Sequence, residues 1–132
     1  MKIALCFSLL LSLICLPLQA RQQQPDIVYY GFDPDIVTNY VSGNRRSLGY
    51  IRVTVELMIT DRQQLRLIEH HEPLILDTII GIFSKQPEDK IKSLTGREEI
   101  RLNIRDDLQK VLVRETGQPI IQDILFTKYL YQ

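Results

Sequence analysis

The segment Tyr50–Thr60 carries the clearest pattern in the chain, a strict alternation of apolar and mostly polar side chains. A period of two over this length predicts a strand with one buried face and one largely polar face. The buried positions are Ile51, Val53, Val55, Leu57 and Ile59, and the alternating ones are Arg52, Thr54, Glu56, Met58 and Thr60. β-Branched residues on both faces agree with this prediction.

Extended structure is also predicted before this strand, beginning at Ile27–Tyr30. Pro34 cannot donate a hydrogen bond to a sheet, so it indicates an edge strand or the start of a strand. Gly, Asn and Ser cluster in Ser42–Ser47 and predict a turn. Asp35–Val41 and Leu48–Thr60 are therefore expected to pair as an antiparallel hairpin.

A helical segment with an internal break is predicted directly after the central strand. Asp61 is a suitable N-cap, and Gln64 three residues later fits a capping box. Apolar residues then recur at spacings of three and four over Arg62–Ser84, while Pro73 predicts a kink or a break. The segment Leu74–Phe83 is apolar on nearly all sides, which is typical of a helix buried between layers or in contact with a partner.

A second long helix is predicted from a capping box formed by Thr95 and Glu98, and it runs to about Glu115. Gly117 together with Pro119 marks its end. Its apolar stripe consists of Ile100, Ile104, Leu108, Val111 and Leu112.

The chain after the second helix, Ile120–Gln132, is rich in β-branched and aromatic residues and predicts a final strand. Between the helices, the polar stretch Ser84–Ser93 is expected to hold a helical turn. The predicted order is β-β-α-α-β, an α+β domain in which two helices pack on a small, mainly antiparallel sheet. This domain follows an N-terminal apolar segment.

Length and composition indicate one domain with a substantial core, since the chain has 132 residues and is 45% apolar. The formal net charge of zero gives no reason to expect a nucleic-acid partner. Cys6 and Cys15 both lie in the first 20 residues. If that segment is removed or embedded in a membrane, the folded domain has no disulfide and no thiolate metal site.

The first 20 residues predict export. Ile3–Leu18 is a mostly apolar run of 16 residues, which spans about 24 Å as a helix, against about 30 Å for the hydrocarbon core. We therefore favour a signal peptide at residues 1–20, cleaved after Ala20, over a short uncleaved anchor in the inner membrane. Residues 21–28 are predicted to be a linker and residues 29–132 the exported domain.

The cluster Glu69-His70-His71-Glu72 is the best candidate for metal or acid–base chemistry. Adjacent helical residues point about 100° apart, and the HExxH spacing that places two histidines on one face is absent. Solvated or partner-facing side chains are therefore expected here. The chain also lacks a phosphate-binding loop and any supported nucleophile–base set. We predict no catalytic, metal-binding or cofactor-binding residue and no cofactor.

A stripe of arginines on the second helix has two possible interpretations. Arg97, Arg101 and Arg105 recur every four residues, which would suit phosphate binding. Acidic residues, Glu98, Asp106 and Asp107, are interleaved with them. This mixture favours a solvated face of the helix that is held by ion pairs.

Three stretches together resemble the family of flagellar basal-body-associated proteins named FliL. They are YYGFDPDIVTNY near the start, the strand-to-helix block from LGYIRVTVELMIT to DTIIGIFSKQ, and the second helix LTGREEIRLNIRDDLQKVL with the ending IIQDILFTKYLYQ. The resemblance covers essentially all of residues 29–132, and the order and spacing of the stretches carry more weight than any one of them.

This resemblance implies a stomatin-like, non-enzymatic domain on the periplasmic side of the inner membrane, at the flagellar basal body. It implies association with the motor stator in support of rotation, motility and chemotaxis, and assembly of copies into a ring. The family's usual cytoplasmic tail, full transmembrane helix and long linker are not matched here, which suggests a shortened, secreted form. The alternatives are a periplasmic scaffold or binding module of another inner-membrane complex, and a small secreted enzyme or inhibitor.

The surface expected to contact other copies or partners lies on Leu74–Phe83, with Leu74, Asp77, Thr78 and Ile82 as its residues. In a ring, one surface of a protomer contacts a different surface of the next, and the strand Tyr50–Thr60 is expected to contribute. The alternative is that most of these residues only fill the core of the protomer.

Overall fold

A computed structural model describes residues 26–43 and 48–132 and confirms the α+β class. The strands are β1 (Val28–Gly31), β2 (Ile36–Tyr40), β3 (Gly49–Ile59) and β4 (Ile121–Tyr131). A 3-10 turn at Arg62–Gln64 precedes the helices α1 (Leu65–His70), α2 (Glu72–Phe83), α3 (Glu88–Lys92) and α4 (Leu94–Thr116). The predicted signal or anchor, most of the linker and most of the predicted turn lie outside the described residues.

Strand β3 is the centre of the sheet, and its alternating sequence correctly predicted a strand with one buried face. It pairs antiparallel with β1 and β2, which lie end to end along one edge, and with β4 along the other edge. The side chains of Ile51, Val53, Val55, Leu57 and Ile59 are all 0% exposed. The predicted hairpin is confirmed by the pairing of β2 with β3.

The early extended segment forms two separate strands, because the chain turns away at Pro34, which has no N–H to donate. Within the described residues, the order is therefore three strands, four helices and a final strand. The predicted order β-β-α-α-β was too short by one strand, β1. Helix α1 results from the predicted break near Pro73, and α3 lies within Ser84–Ser93, where a helical turn was predicted. The mainly antiparallel sheet with helices on it was correct.

The predicted break in the first helical segment is confirmed and falls at His71, whose φ of −98° and ψ of 10° depart from helical values. Pro73 lies in the first turn of α2, where a missing N–H costs no intrahelical bond. The helices cover one face of the sheet and bury their own apolar stripes against it. The helical core residues are Ile68, Ile75, Ile79, Phe83, Ile91, Ile100, Ile104, Leu108 and Leu112.

The first predicted capping box is half correct. Asp61 does cap the 3-10 turn, and its Oδ1 accepts a hydrogen bond of 2.9 Å from the main-chain N–H of Gln63. Gln64 does not complete the box, since its Oε1 is buried and has no partner in the described part of the chain. A 3-10 turn is tighter than an α-turn, so the side chain of Gln64 does not return to Asp61.

The second predicted cap was wrong. Ser93, not Thr95, is the N-cap of α4, because its Oγ accepts a hydrogen bond of 3.1 Å from the main-chain N–H of Gly96. Thr95 is exposed within the first turn. At its other end α4 stops as predicted, at Gly117, whose φ of 77° lies in the left-handed region that favours glycine.

Within residues 26–43 and 48–132, no helix combines the length and the apolar character needed to cross a bilayer.

Candidate functional site

The candidate contact surface runs along one side of α2. Ile75, Ile79 and Phe83 are buried against the sheet and α4. Leu74, Thr78 and Ile82 follow at the same spacing of four residues, so they form a neighbouring stripe, and all three are half-buried. The helix therefore brings the predicted residues together, and the periodicity of the sequence was sufficient to group them.

The predicted residues of this surface differ in the contacts that they can make with another protein. Ile82 packs against the core, which agrees with the alternative that part of the segment fills the protomer. The hydroxyl of Thr78 donates to the carbonyl of Leu74 at 2.8 Å, so it is satisfied within the helix. Asp77 is exposed, and it forms no ion pair with any described residue. Its charge is available to a partner.

A groove beside this stripe was not predicted from the sequence. It has a volume of about 320 Å³ and is lined by Gly81, Ile82, Lys85, Gln86, Asn103, Asp106, Asp107 and Lys110. Gly81 faces the open space of the groove, since a Cβ at this position would meet no atom within 4 Å. The far wall belongs to α4, and only the packing of α4 against α2 brings those residues here. No local pattern could have assigned them to the site.

The charges on the far wall are partly paired with one another. Lys110 Nζ lies 3.3 Å from Asp107 Oδ1, and an Arg105 nitrogen lies 2.9 Å from Asp106 Oδ1. These pairs lie at the surface, where each contributes little to stability. The groove is therefore mostly polar: Ile82 is its one apolar side chain, Lys85 and Gln86 lie on the same side, and acidic and basic side chains lie on the other. Mixed charge of this kind suits a protein partner.

The Glu69–Glu72 cluster has a structural use in the fold. Glu72 accepts a short hydrogen bond from the hydroxyl of Tyr30, and this bond ties β1 to the start of α2. The Nδ1 atom of His71 lies 2.8 Å from the carbonyl oxygen of Leu67. In the described part of the chain, no group of three or more His, Cys, Asp or Glu is arranged to hold a metal ion.

Two tyrosines have raised pKa values for different physical reasons. The hydrogen bond to Glu72, together with partial burial, raises the pKa of Tyr30 to about 12. Burial raises the pKa of Tyr129 to about 12, and its hydroxyl donates to the carbonyl of Ile91 at 3.1 Å. The folded protein therefore holds the phenolic proton more tightly than the unfolded chain does, and this stabilises the fold. The stabilisation is complete below pH 10, near the pKa of tyrosine in the unfolded chain, and is lost as pH rises from about 10 to 12.

A spectrophotometric titration should therefore show late ionisation of these two side chains. We expect the Tyr30→Phe variant to lose one of the two groups that titrate near pH 12 and the Tyr129→Phe variant to lose the other. At neutral pH, Tyr30→Phe should also lower the free energy of unfolding by about 1 kcal/mol, the usual worth of one hydrogen bond. Persistence of both late groups in Tyr30→Phe would contradict the role of Glu72.

The arginine stripe of α4 is held by ion pairs, as the interleaved acidic residues predicted, and also by a ring contact that was not predicted. The guanidinium carbon of Arg97 lies 5.1 Å from the centre of the Tyr129 ring. Arg101 binds Glu98 on α4 and Asp123 on β4, each at 2.6 Å. The predicted ion pairing is present at Arg101, but the predicted solvation is not, because its side chain is only 18% exposed. The burial follows from its contact with β4.

Comparison with known proteins places this chain in a family. Residues 29–132 match the family described as flagellar basal body-associated protein FliL. Over 105 residues the chain is 27% identical to the flagellar protein FliL of Aquifex aeolicus (strain VF5), a match that covers 80% of this chain and 62% of that relative. The family match includes β2 to β4, every described helix and all of β1 except Val28. The chain belongs to the FliL family of flagellar basal body-associated proteins.

Proposed function

We propose that this protein is a non-enzymatic accessory component of the flagellar motor that associates with the stator. In this role it supports flagellar rotation, and through it motility and chemotaxis. The observation that carries the flagellar assignment is the family match over residues 29–132. We propose that the domain lies on the periplasmic side of the inner membrane, exported by Met1–Ala20 and followed by the linker at residues 21–28.

The α2 surface is the contact that we assign to this function. Leu74 and Ile82 supply apolar area, Thr78 lies between them, and Asp77 supplies a charge without a partner among the described residues. A partly apolar patch with a free charge at its rim is typical of a protein-binding surface. We propose that copies of the chain form a ring beside the stator and that this surface takes part in that assembly.

Asp77→Arg tests the assignment. The side chain is exposed, so the substitution should leave folding unchanged and reverse the charge that a partner meets. We expect a strain carrying Asp77→Arg to lose swarming or swimming speed to the level of the deletion strain. In the same cells, cross-linking of the protein to stator components should be lost.

Glu115→Arg is the matched control, because it makes the same change of charge at an exposed position near the far end of α4. This variant should behave as wild type. Full motility and cross-linking in Asp77→Arg would remove α2 from the contact. Full motility in the deletion strain would instead favour a scaffold of another inner-membrane complex.

A further inference from the structure

The face of the sheet that points away from the helices carries an unusual share of exposed apolar side chains. β3 contributes Tyr50 and Met58 to this outward face, alternating with Arg52, Thr54 and Glu56. Its neighbours add Tyr29 and Val37 from one edge and Leu125 and Leu130 from the other. Tyr29 is 52% exposed and Leu130 is 57% exposed. Grouped apolar exposure of this kind marks an interaction surface.

The register of the strands arranges this face in rows across the sheet. The central row contains Thr54, whose Oγ1 donates to Asp35 at 2.6 Å, and Lys128, whose Nζ lies 2.7 Å from the same carboxylate. Asp35 and Lys128 neutralise one another, so the central row has no net charge. The rows on either side of it are chemically opposite.

On one side, Arg52 lies beside Leu130, and on the other side Glu56 lies beside Leu125. Each charged residue is about 6.8 Å from Thr54 along β3. Neither Arg52 nor Glu56 forms an ion pair or a hydrogen bond within the residues that the structure describes. Arg52 still interacts electrostatically with Asp35 in the central row. The face therefore presents a positive charge and a negative charge on opposite sides of Thr54, and neither of them is held in an ion pair.

We propose that this outward face binds the same face of a second copy of the chain. The two copies are related by a two-fold axis that lies between the stacked sheets. The axis runs at a right angle to β3 and passes over Thr54, so each β3 lies antiparallel on the other. This one rotation places Arg52 of each copy over Glu56 of the other copy. It also places Leu130 over Leu125, so charge and apolar contacts are matched by a single operation.

The next pair of rows is matched by the same rotation. A hollow of about 290 Å³ lies at the Tyr50 end of the face, where Arg52 and Leu130 form part of its lining. The rotation brings Met58 of the second copy over Tyr50, at this hollow. Methionine is unbranched and flexible and fills irregular spaces well. Sheets stacked about 10 Å apart leave room for such interdigitation.

The size of the face indicates how stable this pair should be. Eleven residues of β3 extend over about 36 Å, and three strands span about 14 Å, which gives about 500 Å² per copy. The total of about 1,000 Å² lies at the lower end of specific interfaces, so a weak, concentration-dependent dimer is expected.

The α2 surface lies in the helix layer on the other side of the sheet, so this contact goes beyond the proposed function and leaves α2 free.

Charge reversal on the full chain tests the pairing by sedimentation equilibrium in mild detergent. Arg52→Glu alone and Glu56→Arg alone should each weaken self-association at least tenfold, because each presents like charges across the axis. The double variant Arg52→Glu/Glu56→Arg should associate as wild type. An equimolar mixture of the two single variants should also associate, since every cross-pair is then of opposite charge.

Arg66→Glu is the control, because it reverses an exposed charge on α1 in the helix layer and should change nothing. Circular dichroism confirms that each variant is folded. The proposal is overturned if wild type stays monomeric over a 100-fold range of protein concentration that reaches the solubility limit. It is also overturned if the folded single variants fail to associate when mixed, which would indicate a heterologous contact through this face.

Discussion

Gly96→Ala is expected to lower the free energy of unfolding by about 3 kcal/mol, although alanine is the better helix former. A Cβ at Gly96 would lie 2.2 Å from the carbonyl oxygen of Lys90 and 2.6 Å from Ser93 Oγ. The first of these is a main-chain atom in the last turn of α3, so it cannot move without opening the connection between α3 and α4. The second belongs to the cap of α4, so the same substitution also disturbs the start of that helix.

Gly81→Ala is the matched control, because it makes the same chemical change inside another helix. Its new Cβ would meet no atom within 4 Å. Here only the gain in helix propensity remains, and the free energy of unfolding should rise by about 0.5–1 kcal/mol. Guanidinium denaturation of both variants measures the two effects. Equal shifts of the same sign would show that close packing at Gly96 does not govern the α3–α4 connection.

The same contact explains why the sequence predicted the wrong cap for α4. Thr95 followed by Glu98 fits the capping-box pattern, whereas Ser93 is followed at the third position by Gly96, a poor helix former. The local pattern therefore favoured Thr95. In the fold, the absence of a side chain at Gly96 lets α4 begin close against Lys90. A contact with the preceding helix decides the cap, and local patterns do not contain it.

Elements set by local chemistry were predictable. The period of two identified β3, the missing N–H of Pro73 identified the break between α1 and α2, and Gly117 identified the end of α4. The α2 stripe of the candidate site followed from helical periodicity in the same way. The groove beside it did not, since Asp107 and Lys110 reach it only through the packing of α4 on α2. The outward side chains of β3 were visible in the sequence, but their cross-strand neighbours depend on the register.

Arg101→Met is expected to lower the free energy of unfolding by about 2 kcal/mol at pH 7. The guanidinium joins α4 to β4 through bonds to Asp123 Oδ1 at 2.6 Å and to the carbonyl oxygen of Ile124 at 2.9 Å. It also binds Glu98 within α4 at 2.6 Å. Hydrogen bonds to charged groups contribute about 1.5–3 kcal/mol, and access of solvent to both carboxylates keeps the sum near the lower part of that range.

Arg105→Met is the comparison, one turn further along α4. Its partner Asp106 is the next residue on the same helix, so this ion pair joins no two elements. The expected loss is below about 0.5 kcal/mol. A similar loss in both variants would mean that Arg101 acts through its aliphatic stem and not through its link to β4.

The pH dependence of Arg101→Met separates the ionic link from simple packing. Burial alone would raise the pKa of Asp123, but the Ile124 N–H and Arg101 outweigh it and hold the pKa below its usual value. The bond from Arg101 likewise lowers the pKa of Glu98. A carboxyl group with a lowered pKa stabilises the fold at any pH above its pKa in the unfolded chain, about 3.9 for Asp and 4.3 for Glu. This stabilisation is lost as pH falls through the pKa of the folded state.

The difference in unfolding free energy between wild type and Arg101→Met should therefore be constant from pH 7 to about 5 and shrink below about pH 4. A difference that stays constant down to pH 3 would assign the effect to the bond with the Ile124 carbonyl and to packing, because neither of these depends on the charge of the carboxylates.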